Sequence, residues 1–271
     1  MLEYSTLDNS SLYEITQAWN RCWQGYQFET NYSEVQMKAW LYQCQVDLGH
    51  SVALRESGEI VGFALLSVEN EDGWIAGTSI DPHFRGKHLF APLMSTQIQY
   101  AHDLDLKRLQ LEVLTQNHAA KVYEAVGFKP MRELHVYRLP AGTFRTGLSQ
   151  KVCRYFREVP LSEYFEARTR AEFSPSWQRR ENHLKRYSSL KAWLNLQGNS
   201  GMLFTGEHYT TLLDTWTISW EQVEKLISSI LEITEGDFNL TNQPKDWISA
   251  YLTRLGILPS SIQYEMIYKR N

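Results

Sequence analysis

The sequence predicts a mixed α/β fold, in which a central sheet is flanked by helices, and it predicts that this fold is duplicated along the chain. The strands predicted between 52 and 80 are joined by tight turns, so they should pair antiparallel. A helical stretch then separates two apolar strands, which favours a parallel crossover. The strand-helix-Gly-strand order of 108–139 returns over 238–268, which indicates a second copy.

The first half follows the order β-α-α-β-β-β-α-β-α-β. Asp8-Asn-Ser-Ser and Ser33 are typical helix-capping residues, and each precedes an apolar pattern of helical period. Gly127 has the place of a helix C-cap. The predicted elements are strand 1–6, helices 12–19 and 33–44, strands 52–55, 60–68 and 74–80, helix 86–103, strand 108–114, helix 118–126 and strand 134–139.

The second half repeats this order more weakly, after a connection over 143–185 that includes a strand near 152–158. We therefore predict two domains, 1–142 and 143–271, the second being a degenerate copy that includes the connecting segment. Its predicted elements are strands 190–196, 202–205 and 209–215, helix 220–233, strand 238–241, helix 244–255 and strand 262–268.

Composition excludes several classes of function. The chain has 271 residues, of which 43% are hydrophobic and 21% charged, and its net charge is -4. Nucleic-acid binding needs a dense cationic stripe, which is not visible. The first residues do not read as a signal peptide, and no window approaches a membrane-spanning length. Three scattered cysteines and histidines without ligand spacing predict a cytoplasmic protein that has no metal site and no membrane partner.

The stretch Arg85-Gly-Lys-His-Leu-Phe90 follows an apolar strand and precedes a helix. A helix N-terminus leaves backbone N–H groups unpaired and carries partial positive charge, which suits a diphosphate. Arg85 and Lys87 would add charge, and Gly86 would permit close approach of the ligand. An ordinary basic helix start on the surface explains the same residues equally well.

Three further residues point to chemistry, each with an alternative. Tyr123 lies in the next helix, where its phenol could protonate a leaving thiolate or simply belong to the core. Asn117 could contact a ligand amide or cap that helix. Glu112, in the middle of a strand, could act as a general base or could pair with a neighbouring cation such as Arg108 or Lys121.

Together these residues resemble the GNAT superfamily of acyl-CoA-dependent N-acyltransferases. The resemblance covers residues 1–140 and rests on strand 74–80, on the stretch 85–90, and on Asn117, Ala120, Tyr123 and the Gly127-Phe128 pair at their spacing. It implies a fold with one acyl-CoA site and no metal.

The resemblance also implies roles for individual residues. The backbone of Ser79 and Ile80 would face the pantetheine arm and the acyl carbonyl. Asn117 and Ala120 would lie beside the pantetheine, and Tyr123 would be the general acid. The diphosphate would be bound by Arg85, Gly86, Lys87, His88, Leu89 and Phe90.

The sequence departs from the family pattern in two places. His88 and Phe90 occupy the two glycine positions of the phosphate loop, which leaves open whether coenzyme A still binds. In the second half, the stretch 213–220 has neither Gly nor Arg where that loop is expected, and Leu252 has the place of Tyr123. The resemblance therefore implies a tandem protein in which the second copy has a structural role.

We accordingly predict an N-acetyltransferase that transfers an acetyl group from acetyl-CoA to an amine by direct attack, with Glu112 as the base. The acceptor would be a small-molecule or peptide amine, held by Trp23, Tyr26, Phe28 and Glu29. A packed helix corner, which would also include Trp40, is the alternative for those aromatic residues. The rival function is a non-catalytic acyl-CoA-binding or metabolite-binding pseudo-acetyltransferase. The acceptor, the acyl chain length and homodimer formation stay open.

Overall fold

The computed structural model describes residues 1–26, 30–139, 155–171, 174–206, 211–233 and 238–270. The chain divides into two compact units: Met1–Met131 with Glu265–Asn271, and Arg132–Tyr264. The predicted domain boundary after residue 142 lies outside the described residues.

The first unit is a mixed sheet with helices. Its strands β1 to β4 follow one another as antiparallel neighbours, and β5 lies parallel to β4. The end of the last strand of the chain, from Glu265, also belongs to this unit, where Glu265 accepts a hydrogen bond from Gln110 at 3.2 Å. In chain order the elements are β1 (Leu2–Thr6), α1 (Leu12–Cys22), α2 (Glu34–Cys44), β2 (Val52–Glu56), β3 (Glu59–Glu69), β4 (Asp72–Ile80), α3 (Phe90–Asp103), β5 (Arg108–Leu114) and α4 (Ala119–Ala125).

Local sequence signals explain the first two helices. Ser11 with Glu14, and Ser33 with Gln36, form complete capping boxes at the starts of α1 and α2. The apolar face of α1 packs through Trp19 against the core side of β3, so the burial of that face holds the helix on the sheet.

The second unit repeats the arrangement. Its sheet has the order β6-β11-β10-β9-β8-β7, and the parallel pair is β10 with β11. The elements are β6 (Lys129–Leu139), β7 (Phe156–Val159), α5 (Leu161–Arg168), α6 (Glu181–Leu184), β8 (Lys191–Asn195), β9 (Ser200–Thr205), β10 (Thr211–Thr217), α7 (Val223–Ile233), β11 (Phe238–Pro244), α8 (Trp247–Arg254) and β12 (Ser261–Lys269).

The strand expected to close the first unit belongs mainly to the second. From Arg132 onward, β6 is part of the second unit, where it pairs antiparallel with β11. The alternation of residues over 134–139 predicts a strand, but it carries no information about which sheet that strand joins. From Arg132 onward, the strand predicted over 134–139 therefore lies in the second unit.

Two other local predictions need correction. The helix expected from Gly86 begins at Phe90, because Gly86 and His88 have φ angles of 74° and 59°, which an α-helix cannot contain. The stretch expected to replace the phosphate loop, 213–220, lies largely in β10, which extends to Thr217. Within the described residues, no helix is both long and apolar enough to cross a bilayer.

Candidate active site

The centre of the first unit is a split between two parallel strands. β4 and β5 pair only over Asp72–Trp74 and Arg108–Gln110, at their starts. On the other side of β4 the register with β3 shifts at Ala76, which marks a β-bulge. Beyond Trp74, the edge of β4 that faces β5 has no ladder partner on β5, so its N–H and C=O groups can serve an extended ligand.

The residue after the bulge, Gly77, lies close to α1. A Cβ added to Gly77 would lie 3.1 Å from Cζ3 of Trp19, closer than ordinary packing allows. Glycine at this position therefore lets α1 approach the split strand closely.

Glu112 lies near the apex of the split. It is two residues beyond Gln110, the last residue of β5 that pairs with β4. The indole Nε1 of Trp74, a buried side chain, donates a hydrogen bond to Glu112 Oε2 at 2.7 Å. The carboxylate is thus oriented by the last paired residue of β4. No sequence signal joined Trp74 to Glu112, since the two residues are far apart along the chain.

The loop expected to bind the diphosphate lies between β4 and α3. Arg85, Gly86, Lys87 and His88 are exposed. A Cβ on Gly86 would meet no atom within 4 Å, so this part of the loop has open space beside it. The Lys87 ammonium lies over the ring of Phe84, 4.5 Å from its centroid. His88 has the left-handed conformation, φ 59°, that glycine would adopt at no steric cost.

The Arg85 guanidinium binds three backbone carbonyls, and nothing in the sequence indicated these contacts. Its Nε donates to the Ile80 carbonyl at 3.0 Å, and Nη2 donates to the carbonyls of Cys22 at 2.7 Å and Gln24 at 3.0 Å. The charge therefore lies at the C-terminal end of α1, where the helix dipole favours a cation. Arg85 holds the loop, the end of β4 and the end of α1 together.

The end of β4 is fixed by further contacts. The Ser79 hydroxyl donates to the Cys22 carbonyl at 2.6 Å. Asp81 accepts hydrogen bonds from the backbone N–H of His83 at 2.9 Å and from Arg21 Nε at 3.4 Å. Burial opposes ionisation of Asp81, but the hydrogen bonds from His83 and the charges of His83 and Arg21 outweigh it and lower its pKa.

The thiol of Cys22 is beside this end of β4 and is not a nucleophile. Burial, reinforced by the charge of Asp81, raises its pKa to about 12. The fraction of thiolate at neutral pH is therefore very small.

Tyr123 lies in α4 and is buried, with 5% of its surface exposed. Its ring makes edge contacts with Phe90, at 5.4 Å between centroids, and with Phe128, at 5.8 Å. Phe90 is thus directed at the candidate acid. Burial, together with the nearby Tyr26, raises the pKa of the phenol well above its ordinary value. The hydroxyl keeps its proton at physiological pH and can act as a donor.

Both ends of the Asn117 side-chain amide are hydrogen-bonded within the protein. Its Oδ1 accepts a hydrogen bond from the backbone N–H of Ala119 at 2.9 Å, which caps α4. Its Nδ2 donates to the Tyr26 hydroxyl at 3.1 Å. Ala120 is buried at the start of the same helix. The structure therefore brings Tyr26, predicted for the acceptor, together with Asn117 and Tyr123, predicted for the coenzyme.

The aromatic residues after α1 form a packed corner. Trp19 stacks on Phe63 and on Tyr32, each at 5.6 Å between centroids, and Trp40 packs on it at 4.6 Å. Trp23 contacts Tyr26 at 4.8 Å and borders the same cluster. Phe28 and Glu29 lie outside the described residues. Within the described residues, no group of three acidic, His or Cys side chains forms a metal site.

Comparison with known proteins identifies a family and a relative that resemble the first unit. Residues 12–128 match the Acetyltransferase (GNAT) family. A Bacillus subtilis strain 168 protein, provisionally named a ribosomal protein bS18-alanine N-acetyltransferase, is 28% identical over 82 residues. That match covers 30% of this chain and 54% of the relative, so it spans about half the relative's length.

Solved structures extend the likeness in fold to the whole chain. The GCN5-related N-acetyltransferase of Sphaerobacter thermophilus covers 99% of this chain and 95% of its own, with a TM-score of 0.67 and 13% identity. A tandem GNAT protein from the clavulanic acid biosynthesis pathway covers 99% and 98%, with a TM-score of 0.64 and 14% identity. The fold of both units is thus similar to that of the tandem GNAT structure, and residues 12–128 of this chain match the model of the GNAT acetyltransferase family.

Proposed function

We propose that this protein is an N-acetyltransferase of the cytoplasm that transfers an acetyl group from acetyl-CoA to a primary amine by direct attack. One observation carries the proposal. The open split between β4 and β5 is bordered by a carboxylate at its apex, and a buried phenol that keeps its proton, Tyr123, lies in the helix that follows β5. A base and an acid of this kind are what amine acylation requires.

The residues present fit acetyl-CoA, which would supply the acyl thioester. The exposed backbone around Gly86, with open space beside it, can approach a diphosphate. The unpaired edge of β4 from Ile75 to Ile80 offers hydrogen bonds to the amide groups of a pantetheine arm. His88 stands at an exposed loop position where a side chain could compete with the ligand.

Two side chains of this protein, Glu112 and Tyr123, would each carry out one of the two proton transfers. Glu112, oriented by Trp74, accepts a proton from the attacking amine, directly or through water. Backbone N–H groups at the end of β4 hold the acyl oxygen. Tyr123 holds its proton at Oη and donates it to the departing sulfur. Phe90 fixes the ring of Tyr123 and keeps water from it.

The acceptor is proposed from the relative and from the surroundings of Tyr26. The Bacillus subtilis relative is named for an alanine amine of a ribosomal protein, so a peptide with an N-terminal alanine is the first acceptor to screen. Small-molecule amines form the second panel. Trp23 and Tyr26 lie beside Asn117, where an acceptor would reach the split.

Calorimetric titration with acetyl-CoA, followed by a thiol-release assay on those panels, tests the proposal. Binding together with acceptor-dependent thiol release supports it. Binding without turnover on any amine favours the non-catalytic acyl-CoA-binding alternative. The feature that suggests this alternative is His88 in the phosphate loop. If neither the native protein nor the His88→Gly variant binds acetyl-CoA, both proposals fail.

A further inference from the structure

The second unit contains a cavity of about 980 Å³. It opens where β10 and β11 diverge, since among the residues that the structure describes the two strands pair only at Thr211–Leu212 and Asn239–Leu240. Its walls come from the end of β10, from α8 and from the residues that follow α5. Cavities that bind small organic molecules reach this size, so the volume is sufficient for a ligand.

This cavity is not a second cleft for a coenzyme arm. Arg179, buried with 1% of its surface exposed, fills the space between the diverging strands. Its guanidinium donates to Asp214 and to the Thr215 carbonyl on β10, and to Gln243 Oε1 at 2.7 Å on β11. A pantetheine arm lying between the strands would have to displace this fully bonded side chain. The ligand must therefore lie outside the split, in the cavity itself.

The charged side chains that line the cavity differ in whether they already have hydrogen-bond or ion-pair partners in the protein. Asp246 accepts hydrogen bonds from the N–H groups of Ile248 and Ser249 and from Gln243 Nε2, as the cap of its own helix. Lys245 forms an ion pair with Glu133 at 3.7 Å. The guanidinium of Arg170, by contrast, makes no hydrogen bond or ion pair within the described part of the chain.

Arg170 is exposed and lines the cavity. Its Nη1 lies near the turn between β8 and β9, where a Cβ on Gly198 would be 3.5 Å away. An arginine at a cavity, without a partner among the described residues, can bind an oxyanion, because its planar fork suits a carboxylate or a phosphate.

The remaining walls are mainly apolar and uncharged. Trp216, Ile218, Trp247 and Ala250 supply aromatic and aliphatic surface. The imidazole of His135 also lines the cavity, and burial, with a contribution from Lys245, lowers its pKa, so that it is neutral at neutral pH. Apolar walls together with Arg170, a cation without a partner among the described residues, favour a ligand that has an apolar ring and one acidic group.

We propose that the second unit binds a small organic anion in this cavity, with its ring against Trp247 and Ala250 and its oxyanion group on Arg170. The site is separate from the acetyl-transfer site of the first unit. The second unit would therefore recognise a ligand even though it lacks the residues expected to bind the coenzyme.

Two dyes of matched shape test the proposal in the full-length protein. Anilinonaphthalene sulfonate carries an aromatic body and an oxyanion, and N-phenylnaphthylamine has the same body without the charge. Fluorescence titration is expected to show that Arg170→Ala weakens the sulfonate about tenfold, since a hydrogen bond to a charged group contributes about that much. The same variant should leave the affinity of the neutral dye unchanged.

Three further measurements locate the dye. Ala250→Trp, which fills the cavity from an exposed helix position, should abolish binding of both dyes while circular dichroism shows an intact fold. Arg254→Ala, on the same helix but outside the cavity lining, should change neither affinity. Saturating acetyl-CoA should not displace the sulfonate dye, because it would bind the first unit.

The outcomes are decisive in both directions. Equal binding of the sulfonate to the native protein and to Arg170→Ala, or an unchanged affinity in Ala250→Trp, overturns the proposal. Displacement by acetyl-CoA would place the dye in the first unit and would also overturn it. Competition by benzoate or by phenyl phosphate then tells whether a carboxylate or a phosphate is preferred, and competition by neither contradicts oxyanion recognition.

Discussion

The two units contain the same split between parallel strands, but they use it differently. In the first unit, the residue after the β-bulge is Gly77, and the strands diverge from an apex marked by the Trp74–Glu112 hydrogen bond. In the second unit, the residue after the bulge is Asp214, which is fully buried and binds Arg168 and Arg179. A backbone geometry that can admit a ligand is thus left open in one copy and filled by an ion cluster in the other.

The helices that follow the splits show the same contrast between backbone and side chain. Phe128 N–H donates to the Tyr123 carbonyl and Ile257 N–H to the Leu252 carbonyl, both at 2.9 Å, so the two helices end in the same turn. Asn117 caps the first helix as Asp246 caps the second. Leu252 therefore occupies the place of Tyr123, and the second copy keeps the architecture without the acid.

The largest expected effect is on catalysis in the first unit. Tyr123→Phe should lower kcat by about 10²–10⁴-fold, the usual contribution of a general acid, with little change in the Kd of acetyl-CoA. Because burial holds the phenol pKa high, the native rate should show no loss from this group as pH rises toward 10. Steady-state kinetics and calorimetry measure both quantities. Tyr137→Phe, which removes a buried phenol of the second unit, is the matched control and should keep the native kcat.

The next effect tests the ion cluster of the second unit. Asp214→Ala leaves two arginines without their shared partner in the interior, so it should lower the free energy of unfolding by about 3–5 kcal/mol. Urea unfolding followed by circular dichroism measures the loss. Asp105→Ala, which breaks an exposed pair with Arg270, should cost less than about 1 kcal/mol. Equal losses would mean that the cluster contributes no more than a surface pair.

Acid should also distinguish the units. Burial lowers the pKa of His183 to about 4. In the unfolded chain this imidazole becomes protonated near pH 6.5, whereas in the folded second unit it stays neutral down to about pH 4. Stability should therefore fall between about pH 6.5 and 4, by roughly 3 kcal/mol, and it should level off at lower pH. Hydrogen exchange at several pH values, resolved by unit, measures this. His183→Gln should flatten the dependence, and a slope that survives this substitution would assign it to other groups.

A smaller effect tests the Arg85 contacts. Arg85→Met leaves the carbonyls of Ile80, Cys22 and Gln24 without their donor, so it should destabilise the first unit by about 1–3 kcal/mol and weaken acetyl-CoA binding through a displaced loop. Lys87→Met removes an equal charge from an exposed position and serves as the control. If both variants weaken binding equally without loss of stability, charge alone is the function of Arg85.

The smallest effect concerns the left-handed residue of the loop. His88→Gly should raise stability by about 0.5–1 kcal/mol, because glycine adopts φ 59° without strain. Ser57→Gly, at φ 51° in the β2–β3 turn, should give a similar gain. Only the first substitution should also tighten acetyl-CoA binding in calorimetry. A gain in affinity from both would show that the effect is not local to the loop.

Much of the fold could be predicted from local patterns, whereas side-chain roles at the site could be predicted only in part. The alternation over 108–114 and the placement of Tyr123 before Gly127 lie within single elements, and they predicted β5 and α4. Arg85 was expected to face a ligand, but its guanidinium donates hydrogen bonds to backbone carbonyls. The Cys22 carbonyl in α1 is about sixty residues earlier in the chain, and the Ile80 carbonyl in β4 comes just before Arg85. Contacts of that kind leave no periodic signal.

Local sequence was enough to specify the element types, the helix caps, the duplication and the residues on which the GNAT resemblance rests, because these depend on neighbours within a turn or a strand. Long-range packing instead placed β6 from Arg132 onward in the second unit and residues 265–269 in the first, so a fragment ending at residue 142 would lack part of the first unit. It also decided that Arg179 fills one split while Trp74 and Glu112 border the other. Those outcomes depend on groups distant in the chain that compete for the same buried hydrogen bonds, and only the folded arrangement resolves that competition.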